Sequence, residues 1–206
     1  MSRADVSTDS FASLVSDDEV LRHLLEGSGI SLPESGSEML QAWEYSRRFL
    51  AGLIPRPGTL LDYGCANGFL LKCLQNWSPH DIVPFGVDID AARLREARRI
   101  FSEVPENFGL VGQSDVVGEG FPRQFDLVYW AVGDNIDFAE AANQRWLRSV
   151  HALTAPGGRF VMGFYESPTA NRAKLDALST CGFRFQSVVQ NPQSPDELAI
   201  WIDVSQ

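Results

Sequence analysis

A chain of 206 residues, 44% hydrophobic and 21% charged, is long enough for one globular domain with a full core. Its net charge of −10 disfavours a nucleic-acid partner, which calls for a basic footprint. No apolar run approaches the roughly 18–20 residues that cross a bilayer, so no membrane span is expected. The acidic N-terminus is neither a signal nor a transit peptide. Cys65, Cys73 and Cys181 lack zinc-type spacing, and an odd number argues against a disulfide framework. Together these features point to a reducing, cytoplasmic setting.

Residues 1–14 read as a loose tail. Ser16 and Glu19 form a capping box for a helix over 17–26, stopped by Gly27 and Gly29. Residues 30–36 read as a loop. Ser35 and Glu38 form a second box, opening a helix that carries Met39, Trp43 and Leu50 and ends near Ile54. Strand and helix patterns then alternate. Strands are expected at 59–63, 83–88, 107–112, 125–130 and 159–164. Helices are expected at 67–76, 91–102 and 138–153. The Arg93, Arg95, Arg98 and Arg99 cluster shares its helix with Asp90 and Glu96 and reads as a solvated face. Ser167 as N-cap and Pro168 at the first position open a further helix that Gly182 closes. Strands at 184–190 and 198–204 follow with no helix between them, so they form a hairpin and one runs antiparallel. The first, second, fourth and fifth strands are near-continuous apolar runs, as in sheets covered on both faces. The expected fold is an α/β, open, doubly wound and mostly parallel sheet of seven strands, preceded by N-terminal helices.

In such a sheet, ligands bind beyond the carboxyl ends of the strands where strand order reverses, here between the first and fourth strands. The residues that end each strand are therefore the candidates. Asp62 precedes the small-residue turn Gly64-Cys65-Ala66-Asn67-Gly68, which brings backbone N–H groups close to a ligand. G-x-A-x-G does not fit the dehydrogenase pattern. An acid at Asp62 suits a ligand bearing an ammonium group, met directly or through water; a plain turn with Asp62 as its cap is the alternative. Asp88 lies 24 residues after Gly64, near the offset of an acid that accepts ribose hydroxyls, with Ile89 against a purine face. Capping the next helix is the other reading for Asp88 and the preferred one for Asp90. In Gln113-Ser114-Asp115, an acceptor for an adenine amino group is sought first at Asp115 and second at Gln113, or the segment is a polar turn. Trp130 ends the fourth strand; it offers its carbonyl to an amino group and its ring as a wall for a cation, or it is core.

LLDYGCANG, FGVDID, QFDLVYW and LTAPGGRFVMGFY, in that order and followed by the closing hairpin, resemble the class I S-adenosylmethionine-dependent methyltransferases over residues 40–204. Ala66 stands where many members have glycine, and Gln113 roughly where an aspartate is often found. The resemblance implies S-adenosylmethionine as cofactor, S-adenosylhomocysteine as product, and in-line methyl transfer. It divides the chain into a tail and helices over 1–54, forming a lid, and a methyltransferase domain over 55–206. It implies that Asp62, Gly64, Cys65, Ala66, Gly68, Asp88, Ile89, Gln113, Ser114, Asp115 and Trp130 hold the cofactor. A general base is optional. Its candidates are Tyr45, Asp134, Glu166 and His23, while His80 and His151 read as surface or structural. Asp134-Asn135 looks like a metal-binding pair of catechol-type members, but there the pair follows the fifth strand, so no metal is expected. With no long insertion and no nucleic-acid module, the expected acceptor is a small molecule. A protein or RNA acceptor, or a non-catalytic cofactor-binding regulator, are the alternatives.

Overall fold

The computed structural model describes residues 6–29, 35–112 and 121–205. Its first element corrects the sequence reading: Val6–Ser16 is a helix, α1, where a tail was expected. Phe11, Leu14 and Val15, at helical spacing, pack on the core. Ser16 then ends α1, its hydroxyl donating to the Ser13 carbonyl at 2.9 Å. The cap of α2, Asp18–Gly27, therefore falls to Asp17, which accepts from the Glu19 and Val20 N–H groups. The Ser35–Glu38 box is present at the start of α3, Gly36–Arg47, which runs on as a 3-10 turn, Arg48–Leu53.

The remaining elements follow the expected alternation. They are β1 (Gly58–Tyr63), α4 (Phe69–Trp77), β2 (Ile82–Asp88), α5 (Ala91–Ile100), β3 (Phe108–Leu110) and β4 (Phe125–Ala131). After them come α6 (Ala141–His151), β5 (Thr154–Phe164), α7 (Pro168–Thr180), β6 (Ser187–Gln190) and β7 (Leu198–Asp203). Ser167 caps α7 and Gly182 follows it at φ 79°, as the sequence predicts. β5 begins five residues earlier than expected because Thr154 pairs with Phe125 across a register shift that absorbs the Pro-Gly-Gly stretch.

The seven strands lie in the order β3-β2-β1-β4-β5-β7-β6. β1 to β5 are parallel, and β7 runs antiparallel between β5 and β6. Chain order reverses between β1 and β4. Side-chain alternation splits the core between the two faces of the sheet. Leu60, Leu127 and Tyr129 point to α1–α5, and Leu61, Val128 and Trp130 point to α6 and α7. The N-terminal helices belong to the first core: Leu24, Leu25, Met39 and Trp43 pack with Phe69 and Leu70.

Candidate functional site

Two cavities open at the carboxyl edge of the sheet where the strand order reverses. The smaller, about 90 Å³, lies on the α3 and α4 side between Asp62, Tyr129 and Tyr165, under Trp43 and Arg47. The larger, about 240 Å³, lies on the α6 side between Asp88, Ile89, Trp130 and Trp146. Gly64 and Ala131 line both, so the two cavities meet across the edge of the sheet. The strand period explains the division. Asp62 pairs laterally with Tyr129, and Tyr63 with Trp130, so the acid–aromatic pair faces one way and the aromatic pair the other.

The turn after β1 is built to bring backbone to this junction. Gly68 opens α4 at φ 76°, where a Cβ would lie 3.2 Å from Ala97 and from the Phe101 ring. Ala66 takes φ 50°, the left-handed conformation that glycine adopts freely, and is the one non-glycine residue to do so among the described residues. Its N–H donates to Asp88 Oδ2 at 2.7 Å, which fixes the turn against the end of β2.

Asp88 accepts also from the Asp90 N–H at 2.9 Å. An ionised carboxylate has about four acceptor sites, so these two bonds from the described residues do not exhaust Asp88, which lines the larger cavity. Asp90, rather than Asp88, caps α5, and its bonds from the Ala92 and Arg93 N–H groups hold it below the usual carboxylate range. Asp62 is 2% exposed, and among the described residues nothing donates a hydrogen bond to its carboxylate. Burial, then the charge of Asp88, push its pKa up to about 8. A buried, unpartnered carboxylate lining a cavity calls for a cation. Cys65 lines the same cavity, but burial and the charges of Asp62 and Asp88 push its thiol up and keep it protonated.

Several residues of the smaller cavity were not read from the sequence. Arg47 ends α3 with its guanidinium 3.5 Å from the centre of the Tyr165 ring and 3.4 Å from Glu197 Oε1. The Tyr129 and Tyr165 hydroxyls are hydrogen-bonded to each other. They fit because residue 163 is glycine: a Cβ there would lie 2.6 Å from Tyr129 Oη and 2.5 Å from Tyr165 Oη. Burial raises both phenol pKa values, with the Arg47 charge opposing the rise at each. The Asp62–Tyr129 pairing is accessible from strand alternation; Arg47 depends on how α3 packs, and its meeting with Tyr165 on how α3 sits at the end of β5.

Trp130 lines the larger cavity, on the opposite face of the sheet from Asp62. None of the four base candidates lines either cavity. Tyr45 is half exposed and donates to the Gln193 carbonyl. It sits two helix positions from Arg47 and so points away from the cavity. His23 is paired with Glu96 and largely exposed. Asp134 is exposed, although its neighbours Gly133 and Asn135 line the larger cavity. Glu166 is paired with Lys174. Gln113, Ser114 and Asp115 lie outside the described residues. Among the described residues no three metal-ligating side chains converge, and no helix is long and apolar enough to cross a membrane.

No protein-family model and no curated relative matches the sequence. Solved structures match the fold. The glycopeptide N-methyltransferase MtfA, solved with sinefungin, aligns at a TM-score of 0.60 and 13% identity, over 78% of this chain and 85% of that one. The N-methyltransferase NodS from Bradyrhizobium japonicum gives 0.56 and 16%, over 81% and 97%. A TehB-like S-adenosylmethionine-dependent methyltransferase from Corynebacterium glutamicum gives 0.54 and 20%, over 82% and 97%. At these identities the likeness is one of fold: the chain has the Rossmann-like architecture of S-adenosylmethionine-dependent methyltransferases.

Proposed function

We propose that the protein binds S-adenosylmethionine and transfers its methyl group to a small-molecule acceptor. The observation that carries this reading is the pair of joined cavities, one lined by a buried acid with no hydrogen-bond donor among the described residues and the other by the acid that ends β2. MtfA has been solved with both S-adenosylmethionine and S-adenosylhomocysteine, which supports the choice of ligand on the shared fold.

The residues fit the cofactor. Asp62 would take the ammonium group and Arg47 the carboxylate of its amino-acid end, the guanidinium being suited to that anion. Asp88 would accept from the ribose hydroxyls, with Ile89 and Trp130 against the base. Gly64, Cys65, Ala66 and Gly68 supply the turn that brings these groups together. When bound, the cofactor supplies a methyl group already activated by a sulfonium. The chain's part is alignment and exclusion of water, with Trp43 and Arg47 roofing the smaller cavity. The Tyr129–Tyr165 hydroxyl pair is the polar surface left for the acceptor. Both phenols stay protonated at neutral pH, so they orient the acceptor by hydrogen bonding and do not act as a strong base.

Calorimetric titration with S-adenosylhomocysteine tests the reading, beside Asp88→Ala. Wild-type binding that weakens at least tenfold in the variant is expected. Failure of the wild-type protein to bind would overturn it. Transfer of labelled methyl from S-adenosylmethionine to a small-molecule fraction, and not to protein or RNA, is the expected acceptor result.

A further inference from the structure

Three stretches of chain lie beyond this edge of the sheet: the turn 133–136 after β4, the stretch 165–167 after β5, and the loop 191–197 between β6 and β7; Gly133, Asn135 and Ile136 of the first and Tyr165 of the second line the cavities. One face of α7 fastens all three. Asn171 is 1% exposed and donates to the Glu166 carbonyl at 3.0 Å and the Asp196 carbonyl at 2.8 Å. It accepts in return from the Glu166 N–H at 3.2 Å. Lys174, three positions further along the helix, is 9% exposed. Its ammonium donates to the Gly133 carbonyl at 2.6 Å and pairs with Glu166.

The Gly133 carbonyl also accepts from the Ile136 N–H at 3.2 Å, so it closes the turn after β4. Gly133, Asn135 and Ile136 of that turn line the larger cavity with Asp88 and Ile89. Lys174 itself lines neither cavity. A buried ammonium survives only where its donors are used. Here one of them is spent on the carbonyl that sets the position of a cavity wall. Charge-assisted bonds of this kind are the stronger class.

We infer that Lys174 is a positioning residue: through the Gly133 carbonyl it holds the 133–136 turn as the wall against which the nucleoside end of the ligand binds. The inference rests on the function proposed above for the ligand's identity. It assigns Glu166, a base candidate from the sequence, to holding Lys174.

Two probes separate the ends of the ligand. S-adenosylhomocysteine fills both cavities, whereas 5′-methylthioadenosine lacks the amino-acid end. With Lys174→Met, calorimetry below the unfolding range is expected to show both probes weakened by the same factor, roughly tenfold. Lys174→Arg, which keeps charge and donors, is expected to restore both to within about threefold of wild type. Should Lys174→Met not fold, Lys174→Gln carries the same comparison with a smaller, still equal, loss. Unchanged dissociation constants in a variant that merely melts lower would overturn the inference, as would a loss confined to S-adenosylhomocysteine. Wild-type protein that binds neither probe would instead sink the proposed function, and this inference with it.

Discussion

Asp62 is held in a place that disfavours its charge, and this has two measurable consequences. Its folded-state pKa of about 8 lies above the unfolded value of 3.8. Below pH 3.8 both states are protonated and there is no penalty. Between 3.8 and about 8 only the unfolded chain is ionised, so stability falls as pH rises; above 8 the penalty is constant. Asp62→Asn is therefore expected to stabilise the unliganded protein at pH 8 by roughly 2–5 kcal/mol in urea unfolding, a gain that vanishes toward pH 4. The same variant is expected to bind S-adenosylhomocysteine at least tenfold more weakly, because it removes the counter-charge to the ammonium. Ala66 gives a second prediction. Its left-handed conformation strains any residue with a Cβ, so Ala66→Gly is expected to leave stability unchanged or raise it by up to about 1 kcal/mol. Gly68→Ala, which brings a Cβ against Ala97 and Phe101, is expected to lower stability by about 1–3 kcal/mol. Asp62, Ala66 and Asp88 were all legible in the sequence because each is fixed by local order along one strand or turn. Arg47 was not, because Tyr45 and Arg47 are equally plausible on a helix until its packing face is known.

Among the elements, α2 is tied directly to the turn after β1. Asn67 is fully buried; its amide donates to the Leu24 carbonyl at 2.8 Å and its carbonyl oxygen accepts from Ser28 Oγ at 2.7 Å. The same oxygen accepts from the Phe69 N–H at 3.2 Å. Asn67→Ala leaves these groups unsatisfied and is expected to destabilise the fold by about 2–3 kcal/mol. Hydrogen exchange should accelerate across residues 18–29 more than across β4 and β5; uniform acceleration would count against a local tie. The Ser35–Glu38 box and the Ser167–Pro168 start were legible because their partners lie within four residues. α1 is not legible because its polar residues hide a three-residue apolar face that matters only once a core lies beneath it. The early start of β5 is not legible because it depends on Phe125, which is remote in sequence.

At the scale of the molecule, the reversal of strand order between β1 and β4 creates the crevice, and the sheet edge divides it into two compartments. A ligand bridging them stabilises the folded state by mass action. S-adenosylhomocysteine at 100 times its dissociation constant is expected to add about 2.7 kcal/mol in thermal unfolding. NAD at the same concentration is expected to add nothing. By itself the sequence determined the alternation of elements, the mostly parallel sheet with its reversed strand, and the two acids at the ends of β1 and β2. These follow from apolar period, turn residues and spacing, all local quantities. Only the tertiary structure decided that Asp62 and Asp88 serve separate compartments and that Trp130 stands with Asp88. It also decided that Arg47, Tyr129 and Tyr165 share the space with Asp62. Those relations join α3, β4 and β5, which meet only when the sheet is assembled and α3 is packed against it.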